Sequence, residues 1–456
     1  MRAKRLHVFA ALAAGTAGLF AIAACSSSET IGFEEAPDSA GEAGASLPPQ
    51  TQGDAAIPSD GDMSLPPVDE TVVCSVTPCV TQITAGSSHY CARISDGTVR
   101  CWGNNSRGQL GSGETDGGFS ADAGPNPGTV DGLTDVVQID AASATTCAVS
   151  KDGGVKCWGD NKTGGIGTVN GSWNEDTAPH PVPQAVALPG PARRVDLYSL
   201  SSAFVSACAT IEGGELWCWG ANGADNVGYL ARSTLKNTML AGPGLADRLA
   251  PYSGLRFGTA GGPFVITKDQ HLVEWATLSG RDTVANAANA YPIALPLEGV
   301  TSFSSSESHA CAIVQGQVEC WTHGVPNVYI CDGTGTNTTA KLPTLAKTRG
   351  NASPRELALG LNTNGTCVRM SDGTVQCCGD NVNGGLATGD TQLSMIFTEA
   401  KALEGRVVQI AASENSKCAL LKTGEVKCWG GNKLGELGQR TTDSDPHPVP
   451  LTVKLP

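Results

Sequence analysis

Cysteine is the residue type with the most chemistry to offer in this chain of 456 residues, which holds 17 of them. Twelve fall into pairs: Cys91 with Cys101, Cys147 with Cys157, Cys208 with Cys218, Cys311 with Cys320, Cys367 with Cys377 and Cys418 with Cys428. Paired thiols can hold a metal, cycle between redox states or staple a fold. Zinc sites favour paired ligands roughly two to four residues apart with histidine in support. Here five pairs are ten residues apart and one is nine, and the seven histidines are scattered. That spacing suits a staple across a β-hairpin, and no metal site is read.

The pairs recur because the sequence around them recurs. The first copy is Cys91-Ala92-Arg93-Ile94-Ser95-Asp96-Gly97-Thr98-Val99-Arg100-Cys101-Trp102-Gly103, and seven units can be aligned, the fourth (Phe264 to Glu274-Trp275) with neither cysteine. Two residues before the second cysteine stands Val99, Val155, Leu216, Leu272, Val318, Val375 or Val426, aliphatic every time. Two residues earlier stands Gly97, Gly153, Gly214, Gln270, Gly316, Gly373 or Gly424. Two β-prone runs around such a glycine predict a hairpin whose turn needs a positive φ. With Ser95-Asp96-Gly97 as a three-residue loop, residues whose numbers sum to 192 oppose one another, which pairs Cys91 with Cys101. Cys311 and Cys320 fit the same hairpin with one turn residue deleted. Six intra-hairpin disulfides follow, each closing a small loop with a contribution of about 2–3 kcal/mol in the chain-entropy model. Disulfides imply export from the cytoplasm.

Trp102, Trp158, Trp219, Trp275, Trp321 and Trp429 share one slot, with Cys378 there in the sixth unit. A repeated slot reads as core packing. His89 and His309 both stand two residues before a first cysteine and read as hydrogen-bonded blade residues, not catalytic bases. Cys74, Cys79, Cys331 and Cys378 remain, and four cysteines leave three pairings open.

The N-terminus reads as a processing segment. Arg2, Lys4 and Arg5 precede an apolar, alanine-rich run from Val8 to Phe20, then Ile22-Ala23-Ala24-Cys25. This resembles the bacterial lipobox, which implies removal of residues 1–24 and acylation of Cys25. Residues 26–72 carry ten acidic side chains and no Lys or Arg. Such a stretch buries too little apolar surface to offset its ordering entropy, so residues 25–72 are expected to form an acylated, disordered acidic tether. Without those ten acids and the three signal cations, residues 73–456 hold 34 acidic against 27 basic side chains, a formal −7. A mildly acidic body with no basic patch argues against nucleic acid, whose binding rests on clustered cations.

Units of the form His-x-Cys-Ala-x-x-x-Asp-Gly-x-Val-x-Cys-Trp-Gly-x-Asn-x-x-Gly-x-Leu-Gly resemble the regulator of chromosome condensation repeat in its cysteine-rich bacterial variety. His89 through Gly111 matches best, Trp429 through Gly438 repeats its second half, and Leu133 through Ile139 and Val407 through Ala412 repeat the segment upstream. The resemblance implies an all-β, seven-bladed β-propeller over residues 73–456. The units recur about every 54 residues between Cys101 and Cys428, room enough for four strands each, and closure leaves only short edges. Leu451 to Leu455 has no following unit and is expected to complete the first blade.

No phosphate loop or metalloprotease motif is present, no cofactor is implied, and no enzyme activity is read. The most individual segments are the long insertions between blades, where binding concentrates on loops held by a rigid scaffold. Trp173, Tyr229, Tyr252, Tyr291 and Tyr329 in or near them are candidate interface anchors. The expectation is a monomeric, lipid-anchored envelope protein whose propeller binds a protein, or less readily a glycan. A propeller enzyme acting on polysaccharide and a purely structural envelope role are the alternatives. Ser26 after Cys25 gives no aspartate signal for inner-membrane retention, so the outer membrane or cell surface is expected if the organism is Gram-negative.

Overall fold

The structure is a computed structural model and describes residues 71–113, 127–168, 176–201, 204–213, 216–220, 256–257, 264–266, 270–274, 293–322, 328–334, 343–360 and 365–456. The expected signal peptide, Cys25 and the acidic tether up to residue 70 lie outside the described residues.

The described residues form seven antiparallel sheets, six of four strands and one of three, each built from consecutive strands in simple meander order. The first strands of the sheets are Val80–Ala85, Val136–Ala142, Ala192–Ser201, Arg256–Phe257, Val300–Ser305, Pro354–Leu359 and Val407–Ala412. Those of neighbouring sheets approach one another, except that sheet five's is met by the second strand of sheet four, Phe264–Ile266, so they are the inner strands of a ring.

The cysteine repeat forms the second and third strands of each sheet. In sheet one His89–Ile94 pairs with Val99–Gly103, and Cys91 opposes Cys101, as the turn arithmetic requires. Gly97 takes φ 80° and donates its N–H to the Ile94 carbonyl over 3.0 Å, while Asp96 accepts the Thr98 N–H over 2.9 Å. The shortened fifth hairpin turns through Gln315 and Gly316, both at positive φ, so Cys311 still faces Cys320. The same opposition recurs between Cys147 and Cys157 in sheet two, Cys208 and Cys218 in sheet three, Cys367 and Cys377 in sheet six, and Cys418 and Cys428 in sheet seven. All six expected hairpin disulfides are formed: Cys91 to Cys101, Cys147 to Cys157, Cys208 to Cys218, Cys311 to Cys320, Cys367 to Cys377 and Cys418 to Cys428, with Cα atoms 4.0–4.1 Å apart. Gly103 of the Cys-Trp-Gly run lies at φ 103°, and a Cβ there would stand 2.6 Å from the Ser88 carbonyl oxygen. Any larger residue would prise the hairpin end apart.

The apolar core lies between sheets, not within one centre. One cluster joins Val99, Leu110 and Val136 to Ile139 and Trp158 between sheets one and two. An equivalent one joins Ile83, Tyr90 and Trp102 to Leu420, Val426 and Leu437 between sheets one and seven. The second cluster closes the ring.

The tryptophan slot shows how neighbouring sheets interlock. Trp102, Trp158, Trp219 and Trp429 are fully buried, and each donates its indole N–H to a loop carbonyl of the preceding sheet, at Glu436, Gln109, Gly165 and Gly385 respectively, over 2.9 Å. In sheet six the slot holds Cys378, which is disulfide-bonded to Cys331 in the loop of sheet five, with Cα atoms 5.8 Å apart. The covalent bond thus stands where sheets one, two, three and seven use an indole hydrogen bond. Cys74 pairs with Cys79. These two bonds settle the pairing that the sequence left open.

The expectation for the C-terminal strand is corrected. Asp443–Thr452 pairs with Val426–Asn432 as the outer strand of sheet seven and adds nothing to sheet one. Sheet seven needs that strand because its hairpin, like every other, leaves a free outer edge. Closure is instead made by the segment leading into sheet one and that sheet's first residue: Val73, Ser75 and Val80 donate backbone N–H groups to the carbonyls of Lys422, Thr423 and Gly424 over 2.7–3.0 Å.

Candidate functional site: the axial channel

An inner strand exposes one edge of unpaired N–H and C=O groups toward the axis of the ring, and buried backbone polar groups require partners. The chain supplies them from side chains of the preceding sheet. Gln82 donates to the Ile139 carbonyl over 2.8 Å and accepts the Ile139 N–H over 3.1 Å. Gln138 does the same to Val195 over 2.7 and 2.9 Å. Gln409 does so to Ile83, with both bonds at 2.9 Å, across the closure between sheets seven and one. Ser302 and Glu356 accept the N–H groups of Leu357 and Ile410 over 3.2 and 3.1 Å at the same repeat position. A second tier lies two residues on, where Asp140 accepts the Leu197 N–H over 2.8 Å and Ser304 accepts that of Leu359 over 3.1 Å.

Replacing Gln82 by methionine, which keeps length and volume, is expected to leave the Ile139 N–H unpaired and its carbonyl with only the 3.4 Å bond from Gln138 Nε2, and to cost about 2 kcal/mol. Urea unfolding of the variant against wild type measures this, and an unchanged midpoint would remove the capping role.

Inside this ring lies a cavity of about 400 Å³ lined by residues from sheets one to seven. Its ionisable side chains are Arg93, Asp140, Arg194, Asp196, Arg355, Glu356 and Arg369. Arg194 donates its Nε to both oxygens of Asp196 over 2.6 and 2.8 Å. Burial opposes the Arg194 charge, but Asp196 and then Asp140 outweigh it and hold the guanidinium protonated. Burial pushes the Asp140 carboxyl up to about 7, with the Asp196 charge adding to the rise and the Leu197 N–H opposing it. Glu356 is also raised by burial, against the pull of Arg369, whose Nε lies 3.1 Å away.

A carboxyl titrating near neutrality is suited to acid–base chemistry. Both Asp140 oxygens are already engaged, however, by Thr84 Oγ1 and the Ala141 N–H on one side and the Leu197 N–H on the other. Its role is to cap the neighbouring strand. The two sequence-noted histidines are likewise structural: His89 Nε2 lies 2.7 Å from Thr146 Oγ1 in the next sheet, and His309 Nε2 lies 2.9 Å from Thr366 Oγ1.

Of the five loop aromatics, Trp173, Tyr229, Tyr252 and Tyr291 lie outside the described residues. Tyr329 is half-buried between buried Val328 and Ile330, beside the Cys331 bridge. The channel residues were not singled out from the sequence. Their signal is the recurring Gln-Ile dipeptide, Gln82-Ile83, Gln138-Ile139 and Gln409-Ile410, at one position of the inner strand. Among the described residues no helix is long and apolar enough to cross a membrane, and no group of three His, Cys, Asp or Glu is placed to hold a metal.

A closed ring of antiparallel meanders about an axial channel defines a β-propeller. The regulator of chromosome condensation (RCC1) repeat matches residues 80–109, 136–164 and 407–436 in one form and 96–149 in another, so the chain carries copies of that repeat. The X-linked retinitis pigmentosa GTPase regulator of Canis lupus familiaris is 29% identical over 163 residues, 34% of this chain and 16% of that protein. The ultraviolet-B receptor UVR8 of Arabidopsis thaliana is 35% identical over 74 residues, 16% of this chain and 17% of the receptor. These matches therefore span only about a sixth of the curated relatives. Among solved structures, Prp20p of Saccharomyces cerevisiae superposes with a TM-score of 0.63 at 16% identity, covering 85% of this chain and 88% of its own. Human WBSCR16 superposes with a TM-score of 0.58 at 17% identity, covering 75% and 86%. At such identities the likeness is one of fold.

Proposed function

We propose that this protein is a protein-binding scaffold held on a bacterial envelope by a lipid at Cys25, with the acidic tether setting its propeller off the membrane. Seven blades belong to the same reading, from seven sequence units and seven sheets. The observation that carries the binding role is a cluster of exposed apolar side chains. Val382, Leu393, Met395 and Ile396 supply four of the ten large hydrophobics exposed among the described residues, and all lie within one stretch of sheet six. Exposed apolar side chains gathered in one segment mark a candidate interaction site. Protein partners also fit the relatives: Prp20p is described with binding properties to Gsp1p and histones, and yeast RCC1 is seen bound to Kap60. Those partners do not carry over to an exported chain; only the binding of a protein by the propeller does.

Cross-linking of the full chain on intact cells, with mass spectrometric mapping, tests the reading. A partner cross-linked around residues 382–396 and lost in Ile396→Asp is expected. Cross-links unaffected by that change, or hydrolysis of polysaccharide without a captured protein, would overturn it. Metabolic labelling with a fatty acid, abolished in Cys25→Ser, tests the anchor separately.

A further inference from the structure

Arg93 and Arg369 occupy one repeat position, two residues after the first cysteine, and both line the channel. Each faces the capping residue of its own inner strand, Gln82 for Arg93 and Glu356 for Arg369. Glu356 neutralises Arg369 at 3.1 Å. Gln82 carries no charge and its amide is engaged with Ile139, so Arg93 has no such partner. The buried Arg93 Nε makes no hydrogen bond.

The surroundings favour an anion. Four arginines line the cavity against three carboxyl groups, in a chain of formal net charge −14. Of the three carboxyls, Glu356 is taken up by Arg369 and Asp140 is pushed by burial up to about 7, which leaves little negative charge to oppose Arg93. The cavity of about 400 Å³ also presents Ile83, Phe303, Leu357 and Leu420. Small-ligand sites are typically roughly 300–1,000 Å³, mostly apolar, with a few convergent polar groups. A guanidinium with a free N–H edge matches a carboxylate in a planar, two-pronged pair.

We propose that the axial channel binds a small organic carboxylate, its charged end on Arg93 and its apolar body against Ile83, Phe303 and Leu420. The site is independent of the outer rim of sheet six, so it stands or falls apart from the protein-binding reading. Isothermal titration of the full chain with benzoate, hexanoate and citrate tests it, with benzamide as the uncharged counterpart of benzoate. Saturable binding of at least one carboxylate is expected, with none for benzamide. Arg93→Gln is expected to weaken it at least tenfold, and Arg100→Gln, outside the channel, to leave it unchanged. If no carboxylate binds, or Arg93→Gln binds as wild type does, the proposal is overturned. Should Arg93→Gln fail to reach the wild-type melting temperature, Arg93→Lys keeps the charge without the planar fork. A severalfold loss is then expected, and an unchanged affinity overturns the site.

Discussion

The folded propeller is expected to lose about 2–3 kcal/mol of stability between pH 7 and pH 4.5, with two buried histidines as the cause. His89 is fully buried and its pKa is pushed from 6.5 down to about 3; His309 is pushed down to about 4, in both cases by burial. The unfolded chain therefore binds their protons first. Their stabilisation is complete above pH 6.5 and falls with pH toward those folded values, by about 1.4 kcal/mol per histidine per pH unit. Asp140 acts with the opposite sign. Its folded pKa of about 7 lies above the unfolded 3.8, so its contribution is complete below pH 3.8 and is lost as pH rises through 7. Across the shared window the two histidine slopes oppose that of Asp140 and, more weakly against the pull of Arg369, that of Glu356, so stability falls on acidification by no more than the balance of about one proton that the histidines and Asp140 give. Urea unfolding at pH 7, 5.5 and 4.5 under oxidising conditions measures it. Asp140→Asn removes the opposing slope and is expected to steepen the loss about twofold. A wild-type profile flat in this range would show that the histidines are not held neutral.

Much of the hairpin architecture was legible because its determinants are local. A turn glycine, an alternating aliphatic position and two cysteines at fixed offset determine the register within thirteen residues, and Cys91 indeed faces Cys101, as Cys147 faces Cys157 and Cys367 faces Cys377. Even the fourth unit, which offers Gln270 in place of glycine, puts that residue at φ 64°. What joins the sheets was less legible, since its partners lie about one repeat apart or at opposite ends of the chain. Gln82 meets Ile139 across 57 residues and Gln409 meets Ile83 across 326, and neither pair is marked by local periodicity. The misplacement of the last strand has the same origin. A terminal strand left over after the last repeat suggests an exchange with the first, but here the hairpin of sheet seven takes it, and the ring is closed by Val73 to Val80 together with Gln409. The candidate site was the least legible part. Arg93 is one residue of the repeat on paper, and its distinction is only that its inner-strand neighbour is glutamine where Arg369 has glutamate.

Removing the bridge between sheets five and six should cost more than removing any hairpin staple. Cys331 and Cys378 are 47 residues apart, whereas the hairpin pairs are nine or ten apart. In the chain-entropy model the longer loop restricts the unfolded chain more, by about 4 kcal/mol against about 3. The native state widens the difference. Cys91 and Cys101 sit opposite each other in strands already held by a hydrogen-bonded ladder, so their staple duplicates a constraint. The Cys331 bridge has no such backing: sheet six lacks the slot tryptophan whose indole would tie it to sheet five, and the nearby ties are the Asp332–Ile396 bridge and the Gly333 N–H to Met395 carbonyl bond at 3.1 Å. The double variant Cys331→Ala/Cys378→Ala is therefore expected to lower stability by about 4 kcal/mol and to speed hydrogen exchange at Gly333 and along Ser394–Glu399, the strand it secures. Cys91→Ala/Cys101→Ala is the comparison, since both pairs are buried and both variants lose two sulfurs. Equal losses from the two variants, with exchange in sheet six unchanged, would show that the bridge does not hold sheets five and six together.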